Sequence, residues 1–369
     1  MIRIAVVKEA APGERRVAAV PAVLPRLRDL GAEVLVEHDA GLGAFLADSV
    51  YTEAGATAVD AAGAEEADVL LCVGPPDPAR VARLRPGQAV FGLLNPLGDA
   101  ELMAAFAERG VTAVTLDLLP RTLSRAQSMD ALTSQANIAG YKAAILAADT
   151  YGGYFPMLMT AAGTAKPAQV LVLGVGVAGL AAIGTARRLG AVVTAYDIRP
   201  ETREEVQSVG ARFLDLGVTV DDGVGGYARA LTAEEREAQQ EALQQRIGDF
   251  DVVITTALVP GRRPPVLVTE EALKGMRPGS VVVDIASGPL GGNVATSRPD
   301  EITTVGDQVI VIGAGRLPAQ MAPAASNAYA RNMAALTAHL VRDGALAIDL
   351  TDEIQAAIVV THEGKVLRS

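Results

Sequence analysis

The sequence predicts an α/β protein of two lobes, each with a parallel sheet, joined by two long helices, with a cofactor in the cleft between the lobes. Three observations lead there. Short apolar runs alternate with helical stretches over residues 2–116 and again over 170–314, which is the rhythm of a parallel sheet with crossover helices. A glycine turn, Gly174-Val175-Gly176-Val177-Ala178-Gly179, lies between an apolar run and a helical one. Two Ala-rich stretches, 130–150 and 322–341, are apolar nearly all round and so are expected to be buried connectors.

In chain order, 2–7 is a strand and 22–30 a helix stopped by Gly31. Strands follow at 33–37, 68–73, 89–94 and 111–116, with helices at 78–84 and 100–109. The first long helix then begins near Asp130. In the second series, 170–173, 191–196, 251–256 and 280–285 are strands, and 180–189 is a helix closed by Gly190. After the second long helix, the apolar runs 346–348 and 354–360 read as strands rejoining the first lobe or serving an interface. The expected domains are 1–137 with 320–369, and 138–319.

Composition narrows the function. At about 100–200 residues per domain, 369 residues suggest two domains. Only 4% of the residues are aromatic and none is Trp, so Ala, Val, Leu and Ile must build the core. A net charge of −11 with no basic block disfavours nucleic acid and anionic membrane surfaces as partners. Cys72 is alone, and His38, His339 and His362 are far apart in sequence, which disfavours zinc and His-based catalysis. Residues 167–186 carry no charge until Arg187, but a strand, a glycine turn and a helix explain that run better than a membrane span does. The chain starts directly into a strand-like run, so no signal peptide or membrane insertion is expected.

The glycine turn is the sharpest motif. It follows a strand, opens a helix, and is followed about 20 residues on by Asp197 at the end of the next strand. This is the Rossmann fingerprint. Gly174 permits the tight turn, Gly176 admits a pyrophosphate, and Gly179 lets helix and strand pack. The backbone of Val177 and Ala178 then faces the diphosphate at a helix N-terminus. Asp197 would accept from the adenosine ribose, favouring NAD(H), while Ile198 and Arg199 lie beside it. The strand end Thr256-Ala257-Leu258 would face the nicotinamide half. The Gly-rich segment 221–228, with Gly226 and Tyr227, precedes a capping box at Thr232. It reads either as a lid or as a surface loop. Residues 120–130 place Arg121, Arg125 and Gln127 before a buried helix. They read either as a start capped by Ser128 or Asp130 or as a ligand-facing loop.

Arg125-Ala126-Gln127-Ser128-Met129-Asp130-Ala131-Leu132 with Asn137-Ile138-Ala139-Gly140-Tyr141 resembles the NAD(H)-binding component of proton-translocating NAD(P) transhydrogenases. So do Lys8-Glu9, Gly13-Glu14-Arg15-Arg16-Val17-Ala18, Met159-Thr160-Ala161-Ala162-Gly163-Thr164, Gly226-Tyr227-Ala228 and Thr255-Thr256-Ala257-Leu258. The resemblance runs over about residues 1–340 and implies direct hydride transfer from NADH to NADP+ held on a partner subunit, coupled to proton translocation. It implies that Arg121, Gln127 and Asp130 hold the nicotinamide ribose and carboxamide, with Thr133 where the family has Ser and Tyr227 at a mobile loop tip. Either Arg121 or Arg125 takes the ring-side role. It further implies a homodimer on the cytoplasmic membrane face, held there by membrane-spanning and NADP(H)-binding subunits. Alanine dehydrogenases share the two-lobe fold and use a Lys, a His and an Asp on their substrate. Here the matching strand ends read Cys72-Val73-Gly74-Pro75 and Gly92-Leu93-Leu94-Asn95, and Pro289 stands near the Asp position. Hydride passing between two nicotinamides needs no protein acid or base. Two alternatives stand beside this reading: an alanine dehydrogenase-like enzyme with atypical catalytic groups, and a non-catalytic NAD-sensing or scaffold protein.

Overall fold

The computed structural model describes residues 1–199, 201–216, 233–258, 261–306 and 308–368, with backbone only at 233–236. The chain forms two compact units, 1–135 with 318–369, and 136–317. Both are α/β with sheets that are mostly parallel.

The first unit opens with β1 (Ile2–Val6), β2 (Ala32–Glu37), β3 (Thr57–Val59), β4 (Val69–Leu71), β5 (Ala89–Gly92) and β6 (Thr112–Thr115). The second contains a hairpin, β7 (Leu158–Thr160) and β8 (Gly163–Ala165), and then β9 (Gln169–Leu173), β10 (Val192–Tyr196) and β11 (Arg212–Phe213). It continues through β12 (Val252–Thr255), β13 (Val281–Asp284), β14 (Ile302–Val305) and β15 (Val309–Gly313). The chain returns to the first unit for β16 (Val341–Arg342), β17 (Ala345–Leu346), β18 (Val359–His362) and β19 (Lys365–Val366).

Strand order in the first unit is β19-β18-β6-β5-β4-β1-β2-β3, and in the second β11-β10-β9-β12-β13-β15-β14. Each order reverses once beside its first long strand, at β1/β4 and at β9/β12. These are the switch points where α/β sheets open a crevice. The alternation within each strand shows why both sheets are covered on two faces. Ile4, Val6, Val34 and Leu71 join one core cluster, while Ala5, Leu35, Leu70 and Val90 join the opposite one. In the second unit Val170, Val172 and Ile254 face one way, and Leu171, Leu173 and Val253 the other.

Three expectations need correcting. The sheets are not purely parallel: β18 runs antiparallel on β6, and β14 antiparallel on β15. The Ala322–Leu340 helix is no connector. It lies wholly in the first unit, where Tyr329, Met333, Leu336 and Leu340 line one face and enter the core. The two units divide within the Ala131–Thr150 helix and again at Leu317/Pro318. Residues 354–358 are helical rather than extended. Asp352 caps the Glu353–Ile358 helix by accepting from the N–H groups of Ile354 and Gln355, and the strand begins only at Val359.

Candidate dinucleotide site

The second unit's switch point is built from three glycines, each present for a different reason. Gly174 ends β9 with φ +94°, where a side chain is strained, and a Cβ there would meet Thr256 Oγ1 at 2.7 Å. A Cβ at Gly179 would lie 1.9 Å from the Gly174 carbonyl oxygen, so the Val177–Arg188 helix can approach its strand only with glycine there. Gly176 differs. Its backbone is extended, and a Cβ would meet nothing within 4 Å. The protein's own packing does not require glycine at 176. Its bare backbone instead keeps open the space before the helix N-terminus, which has no side-chain cap. Uncapped first-turn N–H groups, at Val177 and Ala178, and a positive dipole end suit a diphosphate. Gly140 matters to the same turn: a Cβ there would lie 1.9 Å from the Ala178 carbonyl oxygen.

Asp197 is tied to this turn. Its Oδ2 accepts from the Val175 N–H at 2.7 Å. Arg199 covers the carboxylate: its backbone N–H and Nε donate to Oδ1, each at 3.0 Å, and Nη2 donates to Oδ2 at 3.1 Å. Burial pushes the Asp197 pKa up, but Arg199 and the Val175 N–H outweigh it and hold the group below its ordinary value. Asp197 is thus an ionised acceptor beside the turn. Ile198 and Leu258 are large apolar side chains left exposed, Ile198 next to Asp197 and Leu258 two residues after Thr256, both of which bond to the turn.

Across the crevice, Thr256 Oγ1 donates to the Gly174 carbonyl at 3.0 Å. Asn293, fully buried, clamps the next residue: Oδ1 accepts from the Ala257 N–H, and Nδ2 donates to the Ala257 carbonyl, both at 2.9 Å. Asp284 supports the loop after β13, accepting from Thr255 Oγ1 and from the N–H groups of Ala286 and Val294. A Cβ at Gly292 would lie 2.1 Å from Asp284 Oδ2. Sequence reasoning places Asn293 at the end of a strand-end segment, 286–293, without singling it out as the clamp on Ala257. Its one signal was the asparagine closing the Gly291-Gly292-Asn293 run.

In the first unit, Ser124–Met129 is a 3-10 helix leading into the long helix. Asp130 caps that helix, as one of the two readings had it: Oδ1 accepts from the Thr133 N–H at 2.9 Å and Oδ2 from Thr133 Oγ1 at 2.6 Å. Arg121 and Gln127 are exposed and have no side-chain partner among the described residues. Arg125 is engaged elsewhere, its Nη1 donating to Asp352. Gly226, Tyr227, Thr232, Val259 and Pro260 lie outside the described residues.

At the first unit's switch point, the Glu9 carboxyl accepts from the N–H groups of Val73 and Gly74 at 2.6 and 3.2 Å. Burial lifts its pKa to about 7, against those two N–H groups. The space left there, lined by Glu9, Cys72, Gly74 and Arg80, is about 10 Å³, room for at most a water. Arg16 donates to Glu14 and Gln135 close by. The neighbouring strand end is also closed internally, with the Asn95 N–H donating to Asp117.

The chain matches known proteins along nearly its whole length. Residues 5–139 match the alanine dehydrogenase/PNT N-terminal domain, and 143–369 the C-terminal domain of that family. An NAD(P) transhydrogenase alpha-subunit chain of Rhodospirillum rubrum is 43% identical, covering 99% of this chain and 98% of that protein. A solved structure of transhydrogenase from Sinorhizobium meliloti superposes with a TM-score of 0.89 at 43% identity, covering 99% of both chains. Alanine dehydrogenase 1 of Staphylococcus aureus is 31% identical over 83% of this chain and 77% of that protein. With matches of this extent on both units, the chain belongs to the alanine dehydrogenase/PNT family, among the NAD(P) transhydrogenase alpha subunits.

Proposed function

We propose that this chain is the NAD(H)-binding subunit of a proton-translocating NAD(P) transhydrogenase. It holds NADH while hydride passes directly to NADP+ on a partner subunit. The observation that carries this reading is the contrast at the strand ends. The β9/β12 crevice presents an open glycine turn beside an ionised Asp197. The β1/β4 crevice, where a dehydrogenase would need an acid and a carboxylate binder, holds Glu9 on its own backbone and neither Lys nor His at 72–75 or 92–95.

When bound, the dinucleotide supplies the hydride from C4 of its nicotinamide. The chain's own residues bind and orient it. Gly174, Gly176 and Gly179 shape the turn, and the N–H groups of Val177 and Ala178 take the diphosphate. Asp197 would accept from the adenosine ribose, with Arg199, Ile198 and Leu258 as the side chains beside it. Thr256 and Ala257 would line the ring side, and the resemblance assigns Gly226 to the same half. By the resemblance, Arg121, Gln127, Asp130 and Thr133 would orient the nicotinamide, Arg125 lies in the same segment, and Tyr227 is assigned to the same role.

The subunit works as a homodimer. The exposed hairpin and the residues just before it support this, with Tyr154 and Met157 each 59% and Met159 77% accessible, because apolar area of this kind marks an interface. Among the described residues no helix is long and apolar enough to cross a membrane. By the resemblance, membrane-spanning and NADP(H)-binding subunits would hold the chain at the cytoplasmic face and carry the proton step. The test is reconstitution. The chain alone binds NADH, does not oxidise it with pyruvate and ammonia, and transfers hydride once the NADP(H)-binding subunit is added. Stand-alone alanine dehydrogenase turnover overturns the reading.

A further inference from the structure

We propose that Asp352 is a positioning residue for hydride transfer, acting through Arg125, and that Arg125 is an anchor rather than a nucleotide ligand. The proposal rests on the reading above that Gln127 and Asp130 face the nicotinamide. Arg125 stands in the middle of the polar segment, and its Nη1 donates to Asp352 Oδ2. That carboxylate is not free to follow the loop. Its Oδ1 accepts from the N–H groups of Ile354 and Gln355 at 2.9 and 3.0 Å, capping the Glu353–Ile358 helix. It also lies 3.2 Å from His339 Nε2, on the last turn of the Ala322–Leu340 helix. Four attachments on one carboxylate make it a fixed post. The Asp352 side chain is 17% accessible, while Arg125 reaches it from the surface with 52% of its own side chain accessible.

The segment needs such a post. A 3-10 helix has poorer hydrogen-bond geometry than an α-helix and seldom holds a run of this length unaided. Ser124–Met129 is held by side chains instead. Ala126 and Met129 are buried in the first unit's core, and Asn332 Nδ2 donates to the Ser128 carbonyl at 2.9 Å. Arg125 supplies the remaining tie. Between these ties the Gln127 side chain is exposed. Of the two arginines, Arg121 therefore keeps its cation available, whereas Arg125 spends its cation on the tail. Hydride transfer depends steeply on ring placement, and a misplacement of about 1 Å can cost about 100-fold.

The test compares Arg125→Ala, Arg125→Lys, Asp352→Asn and the Arg125→Ala/Asp352→Asn double variant in the full chain. Asparagine caps helices about as well as aspartate, so Asp352→Asn keeps the cap and removes the charge. Melting temperature checks the fold. NADH affinity is read from nucleotide fluorescence, helped by the absence of Trp. Hydride transfer to NADP+ on the partner subunit is measured at saturating NADH. Each of Arg125→Ala and Asp352→Asn is expected to slow transfer about 10-fold, with NADH affinity within about 3-fold of the parent. The double variant should be no slower than the slower single one, and Arg125→Lys should recover part of the rate. Unchanged transfer, additive losses, or NADH affinity falling with Arg125→Ala alone each overturn the proposal. If the unsubstituted chain binds no NADH or passes no hydride, the functional reading itself fails, and this shows before any variant is made.

Discussion

The two switch points share a topology and differ in what fills them. At β9/β12 the chain withholds side chains: Gly174 and Gly179 leave no room for a Cβ, and Gly176 faces open space. At β1/β4 it supplies one of its own, the Glu9 carboxyl on the Val73 and Gly74 N–H groups. One crevice is shaped to receive a ligand, the other is satisfied from within. A crevice at a switch point is thus only an opportunity, and the local side chains decide whether it becomes a site.

Substitutions can break this contrast, and the largest effect is expected at the tightest point. Gly179→Ala puts a methyl 1.9 Å from the Gly174 carbonyl oxygen. It should cost about 3 kcal/mol in denaturant unfolding and abolish NADH binding. Glu9→Gln tests the filled crevice. The Glu9 pKa is raised to about 7 from 4.5. The folded state is therefore unpenalised below about pH 4.5 and loses stability as pH rises through about 7. Relative to the parent, the variant should gain about 2 kcal/mol between pH 5 and pH 8, and parallel unfolding curves would miss that gain if Glu9 were solvated. Asp352→Ala removes a helix cap and should cost about 1 kcal/mol in thermal unfolding, more than Asp352→Asn does. Gly176→Ala should be nearly silent in stability, within about 0.5 kcal/mol, yet weaken NADH binding about 10-fold or more. A Gly176→Ala variant with parental affinity would show that nothing approaches that backbone.

The glycine turn was legible because its constraints are local. Strand, turn, helix and Asp197 lie within one βαβ unit, and Gly174 and Gly179 answer to neighbours in that unit or to the adjacent strand, while Gly176 leaves open space. The helix at 353–358 was not legible as such: its apolar run fits a strand as well, and only the Asp352 cap and the packing of Ile354 and Ile358 into the core select the helix. The Ala322–Leu340 helix misled for a related reason. An apolar helix must be buried, but its composition does not say in which unit.

The sequence by itself determined the α/β class, the dinucleotide fingerprint and the polar segment, because periodicity and turn chemistry act over a few residues. Tertiary structure alone decided which side chain pairs with Arg125 and what fills the β1/β4 crevice. Arg125 meets Asp352 across 227 positions of chain, and Glu9 meets Val73 across 64. Such contacts exist only once the sheet has brought distant segments together, and no local pattern marks them beforehand.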